Sequence, residues 1–195
     1  MPPTTTANPI EVFANATVAN YNSFFDLAFS NLDTSNVVAN QAALIESMGG
    51  NATISDQYFD ALASLISILS STPDPVQEAR IAQGVADLFK LTEDLIASFP
   101  GMENFETNAN LMMDPENAAF YALYNQLKTD SDSLIADPAS AFAYFTNNAV
   151  QAKLAEIVAL AKEVSQKAEQ CEYSASLAIE ISHDLCHYFT IMSIV

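Results

Sequence analysis

Apolar residues recur along this chain at intervals of three and four, and strict alternation of apolar and polar positions never lasts beyond four or five residues. The first spacing puts one stripe of side chains on one face of a helix, whereas strands need the second. Hairpin dipeptides of the Asn-Gly or Asp-Gly type do not occur either. The pattern predicts an all-α protein: an elongated bundle of six or so helices, the last a long, coiled-coil-like C-terminal helix.

Four Asx-Pro pairs punctuate the pattern, at Asn8-Pro9, Asp74-Pro75, Asp114-Pro115 and Asp137-Pro138. An Asx side chain can accept from free backbone N–H groups, and proline at the first helical position has the right φ and needs no donor. Glu11 and Gln77 stand where a capping box would place them. Helix one is expected from Pro9 to Asn31 with Ile10, Phe13, Tyr21, Phe24, Phe25 and Ala28 inward, followed by a capped turn at Asp33-Thr34-Ser35. A shorter helix carries Val37, Val38, Ala42, Leu44, Ile45 and Met48 and stops at Gly49-Gly50. Helix three covers Ile54 to Ser70, and Thr72-Pro73-Asp74-Pro75 forces a break. Helix four runs from Pro75 to Phe99 and ends at Pro100-Gly101, residues 102–113 read as short and irregular, and helix five runs from Pro115 to Ile135. The resulting division is a flexible segment over residues 1–8, a helical bundle over 9–136 and a C-terminal packing helix over 137–195, together one structural domain.

The C-terminal helix carries the longest regular series. Leu154, Ile157, Ala161, Val164, Ala168, Cys171, Ala175, Ala178, Leu185, Phe189 and Met192 follow alternating steps of three and four, broken only at Ser182. A 3.5-residue repeat over about five heptads keeps one seam against a partner helix. Leu154, Ile157, Val164, Cys171, Leu185, Phe189 and Met192 are therefore the expected interface, with small residues from Ala168 to Ala178 allowing close approach. Beyond Leu177 the sequence is apolar on nearly every side, which calls for burial. Unbroken from Pro138 to residue 190, this helix would be about 80 Å long, against a radius of gyration near 16 Å for a compact domain of this size. Either it bends, at Asn147-Asn148 or Tyr173-Ser174, or the molecule is elongated.

Composition sharpens the partner question. Half of the 195 residues are hydrophobic and only 15% are charged, against about 25% in ordinary soluble domains. A surface covered by neutral polar and small residues loses little solvation on contact, which favours association with copies of the chain or with another helical protein. The net charge of −18 comes with one Arg and five Lys, the first base being Arg80. With no basic stripe, nucleic acid is not an expected partner, and neither is an anionic membrane for the folded chain. No stretch reaches the roughly 20 apolar residues of a membrane-crossing helix, and no charged start precedes the first apolar stretch, so neither a span nor a secretory signal is expected and a cytoplasmic location is the default.

Soft ligands gather in one place. Cys171, His183, Cys186 and His187 are all the cysteines and histidines of the chain. His183 and His187 share a helical face that Cys186 borders, an arrangement able to chelate a transition metal; packing in an apolar helix is the competing reading. Glu180-Ile181-Ser182-His183 has the Glu-x-x-His form of di-iron bundles, but the second copy that chemistry needs is missing. A c-type haem would need Cys-x-x-Cys-His, and the first cysteine is His183 instead. Cys171 and Cys186 would lie about 22 Å apart on one helix, beyond disulfide reach. The acidic pairs Glu103 with Glu106 and Asp130 with Asp132 read as solvated caps and turns. No cofactor is called for, and no nucleophile, base and electrophile can be brought together, so an enzyme is not expected. Three functions remain: a structural or interaction protein that self-associates through its C-terminal helix, a small-ligand or metal-binding helical module using His183, Cys186 and His187, or a helical protein that meets membranes after a change of conformation.

Overall fold

A computed structural model describes residues 8–72 and 74–181, for residues 170–181 the backbone alone. Among them are eight α-helices, two 3₁₀ turns and no strand: α1 Pro9–Phe29, α2 Ser35–Ser47, α3 Ala52–Leu69, α4 Pro75–Ala97, α5 Ala109–Met113, α6 Ala118–Ala136, α7 Ala141–Phe145 and α8 Asn148–Ile181. The all-α expectation holds.

Helix starts follow the Asx-Pro rule at three of the four pairs. Asn8 accepts from Ile10 N (3.0 Å), Asp74 from Val76 N and Gln77 N (2.8 and 2.9 Å), and Asp114 from Glu116 N (2.9 Å). Asp137 makes no such bond, and the helix expected to start at Pro138 does not start there. Pro138–Ser140 is a 3₁₀ turn, α7 lasts five residues, and the chain breaks at Thr146-Asn147 before α8 begins. There Asn147 supplies the cap, accepting from Ala149 N at 2.9 Å. The anticipated bend at Asn147-Asn148 is thus present, while α8 passes through Tyr173-Ser174 without interruption. Gln77 also departs from expectation: its amide donates to Ser71 Oγ at 2.7 Å rather than reaching back to its own cap.

The six long helices form a closed circuit. α1 packs on α2, α2 on α3, α3 on α4, α4 on α6, α6 on α8, and α8 on α1. Two ion pairs fix the register of α6 against α8, Lys153 with Asp130 (3.7 Å) and Lys167 with Glu116 (2.6 Å). From Lys153 to Lys167 α8 advances as the chain through α6 and the 3₁₀ turn before it recedes by the same number of residues, from Asp130 to Glu116, so the two helices are antiparallel. α2 closes as its glycines dictate: Gly49 adopts φ +79°, and Gly50 N donates to Ile45 O at 3.0 Å. A Cβ on Gly50 would stand 2.7 Å from Ile45 Cγ2 and 2.9 Å from Phe99 Cε1, so α2 and the end of α4 meet through a backbone without a side chain.

One cluster of buried side chains holds the circuit together, with Phe13, Phe24, Phe59, Phe99 and Phe120 among its largest members. Ile10, Phe13, Tyr21, Phe24, Phe25 and Ala28 of α1 and Val37, Val38, Leu44, Ile45 and Met48 of α2 are buried or packed against this cluster, whereas Ala42 is half-buried outside it. Most rings meet edge-on or tilted, as between Phe24 and Phe59 (4.6 Å) or Phe105 and Tyr124 (5.1 Å), a geometry that ring quadrupoles favour. The irregular 98–117 connection is anchored by Phe99, Met102 and Phe105, each at most 2% exposed.

Candidate functional site

The structure places the first part of the proposed interface inside the chain's own core. Leu154, Ile157 and Val164 are buried, as are Ala155, Val158, Ala159 and Ala161, so α8 is enclosed on nearly every side over this span. Leu154 shares a small void with Tyr58 of α3 and Val85 and Leu88 of α4. The first small residue of the seam, Ala168, meets Gly101, where an added Cβ would come within 3.1 Å of Ala168 Cβ. Lys162, also buried, donates from Nζ to Met48 O at the end of α2, where the helix dipole favours a cation. The side chain of Cys171 and the residues Leu185, Phe189 and Met192 lie outside the described side chains, as does the cluster of His183, Cys186 and His187.

Among the described residues no group of three or more His, Cys, Asp or Glu is placed to hold a metal ion, and no helix is long and apolar enough to cross a membrane. Two other sites stand out.

The first joins α4, the 98–117 connection and α6. Tyr124 Oη lies 2.8 Å from Glu93 Oε1 and closer still to Glu106 Oε1. A phenol has one proton, so it can donate to one carboxylate only. The other oxygen must carry a proton itself or face the hydroxyl lone pairs. Burial raises the Glu93 carboxyl above the usual range; the Tyr124 hydrogen bond opposes this, while Glu106 adds to it and Lys128 detracts. Burial first, and then the two carboxylates, push the Tyr124 phenol far up as well. Stacking of Phe89 on Tyr124 (5.9 Å) and Lys128 over the Phe89 ring (5.1 Å) complete the surroundings. The arrangement holds a proton between two acids and ties three segments together. Glu106 was expected to work with Glu103 as a solvated turn; its partner is instead Glu93, 13 positions earlier in the sequence. Glu103 accepts from Gly101 N at 3.2 Å, and Asp130 accepts from Gln126 and pairs with Lys153.

The second is a cleft of about 620 Å³ between the C-terminal half of α1 and the α7–α8 junction. Phe25, Phe29 and Phe145 form its apolar walls, and Asn22, Asp26 and Gln151 are among its polar groups. Gln151 is only 2% exposed, and among the described residues neither its amide nitrogen nor its amide oxygen, both closed off from solvent, has a hydrogen-bond partner. Sequence reading missed this residue, because a glutamine among Asn, Ala and Lys resembles any solvated helix position. By contrast Gln41, equally buried, is satisfied by Asn20 Nδ2 (2.9 Å) and Thr17 Oγ1 (3.4 Å).

Fold and site together define an all-helical bundle protein with an aromatic-walled end cleft. Comparison with known families, curated proteins and solved structures gives no match.

Proposed function

We propose that this chain is a structural or interaction protein that self-associates through the distal part of its C-terminal helix. The register of α8 carries the reading. Lys167 stands opposite Glu116, just ahead of the first residue of α6, and Ala168 lies against Gly101 beyond the end of α4. α8 nevertheless extends to Ile181, about 20 Å past Ala168 at 1.5 Å per residue. The seam is continuous across this point. Its near half, Leu154 to Val164, packs within the bundle, and in the sequence the same spacing goes on from Cys171 to Met192, of which Leu185, Phe189 and Met192 lie outside the described residues.

A copy of the same helix is the simplest complement, because a self-complementary seam closes a symmetric dimer without a second gene product. With only 15% of residues charged, few charged side chains have to be desolvated on such contact, while the net charge of −18 makes the association stronger at high salt. Sedimentation velocity of the full chain over a wide concentration range tests the proposal. Association that strengthens with concentration supports it, and a single species of 21.0 kDa throughout would refute it.

A further inference from the structure

We propose that Glu93, Tyr124 and Glu106 form a proton-operated latch, which holds the turn around Glu106 against α4 and α6 in acid and releases it toward neutral pH. The three groups share too few protons to stay together at every pH.

One phenol oxygen faces two carboxyl oxygens, Glu93 Oε1 at 2.8 Å and Glu106 Oε1 nearer still. Tyr124 has a single proton to donate. When the two acids hold one proton between them a chain of donors closes: the Glu93 carboxyl donates to the phenol oxygen, and the phenol donates to the Glu106 carboxylate. Without that proton two carboxylates face one donor and repel each other. The nearby cations have other partners, since Lys128 lies over the Phe89 ring and Lys90 pairs with Asp94 at 2.5 Å. Lys128 draws the Glu93 carboxyl down, and Lys90 feels both Glu93 and Glu106. Burial and then Glu106 outweigh these cations and hold Glu93 above its ordinary 4.5, so the latch loses its proton above that pH.

The parts differ in how freely they move. Glu93 belongs to α4, a helix of 23 residues, and Tyr124 on α6 is buried. Glu106 is exposed, in a turn closed by bonds from Thr107 N and Asn108 N to Asn104 O (3.0 and 2.8 Å). Phe105, just before it, is buried, and Tyr121 Oη donates to the Phe105 carbonyl at 2.7 Å. Release is therefore local: Phe105 stays as the anchor while Glu106 turns to water. The same turn runs into Asn108, the cap of α5, so the start of α5 shares the change.

The test is amide hydrogen exchange of the full-length protein, read by NMR at Thr107 and Asn108 and corrected for the intrinsic pH dependence of exchange. Protection of these two amides should fall about threefold or more between pH 4 and pH 7. Glu93→Gln, which keeps a donor at every pH, should abolish the fall and hold acid-like protection at pH 7. Glu78→Gln, an equal change of charge at an exposed position of the same helix, should leave the fall as it is in the wild type. The latch is overturned if wild-type protection does not change between the two pH values, if Glu93→Gln shows the same fall, or if Glu78→Gln abolishes it as fully.

Discussion

Two side chains with the same chemistry behave differently here because of what surrounds them. Gln41 and Gln151 are both at most 2% exposed, but the first bridges α1 and α2 through Thr17 and Asn20 while the amide of the second is buried with no hydrogen-bond partner among the described residues. Neither was legible from periodicity, which sorts glutamine with the surface and cannot see pairings made across the fold. The acid pair is another such case. Glu93 and Glu106 converge only because Tyr124 comes from a third segment. Since the folded pKa of Glu93 is raised from 4.5, its contribution to stability is fully present below that value and is lost as pH rises through the raised one. Glu93→Gln, permanently neutral and still able to hydrogen-bond, should therefore match the wild type near pH 4 and exceed it at pH 7. The gain appears as a higher Tm for the variant at pH 7 and not at pH 4. Thermal melts at the two pH values check this, and an equal difference at both would contradict it.

At the scale of elements, capping chemistry was the most legible signal. Asn8, Asp74 and Asp114 each hold the backbone donors that the Asx-Pro rule assigned to them. Asp74 holds two, so Asp74→Ala should cost about 1 kcal/mol and lower Tm by about 2–4 °C in a chain of this size; a calorimetric scan measures it, and an unchanged Tm would show the cap to be idle. The rule failed at Asp137 because other contacts decided the local path: Ala141 and Phe145 are drawn into the core over one short helical turn. That turn pulls residues 138–147 away from the line of α8, so one expected helix became a 3₁₀ turn, a five-residue helix and α8. Hydrophobic spacing did not decide this, since the regular repeat begins only at Leu154, and Asn147-Asn148 stood as one of two places for a bend. Gly50 likewise read as a helix stop, but an added Cβ would crowd both Ile45 of α2 and Phe99, the latter far away in sequence.

For the whole molecule, the central claim is a division of labour along one seam. Up to about Lys167 the seam residues of α8 are core, as the burial of Leu154, Ile157 and Val164 requires; past it the same spacing continues in the sequence, and the proposal assigns that part to a second chain. Changes in the near half should therefore act on folding, and changes in the far half on assembly. Static light scattering of the full chain carrying Leu185→Glu and Phe189→Glu, set against the wild type at equal concentration, separates the two most directly. The account predicts an oligomeric mass for the wild type and 21.0 kDa for the variant, with the thermal unfolding of the bundle retained. A wild-type mass of 21.0 kDa, or an unchanged oligomer in the variant, would contradict it.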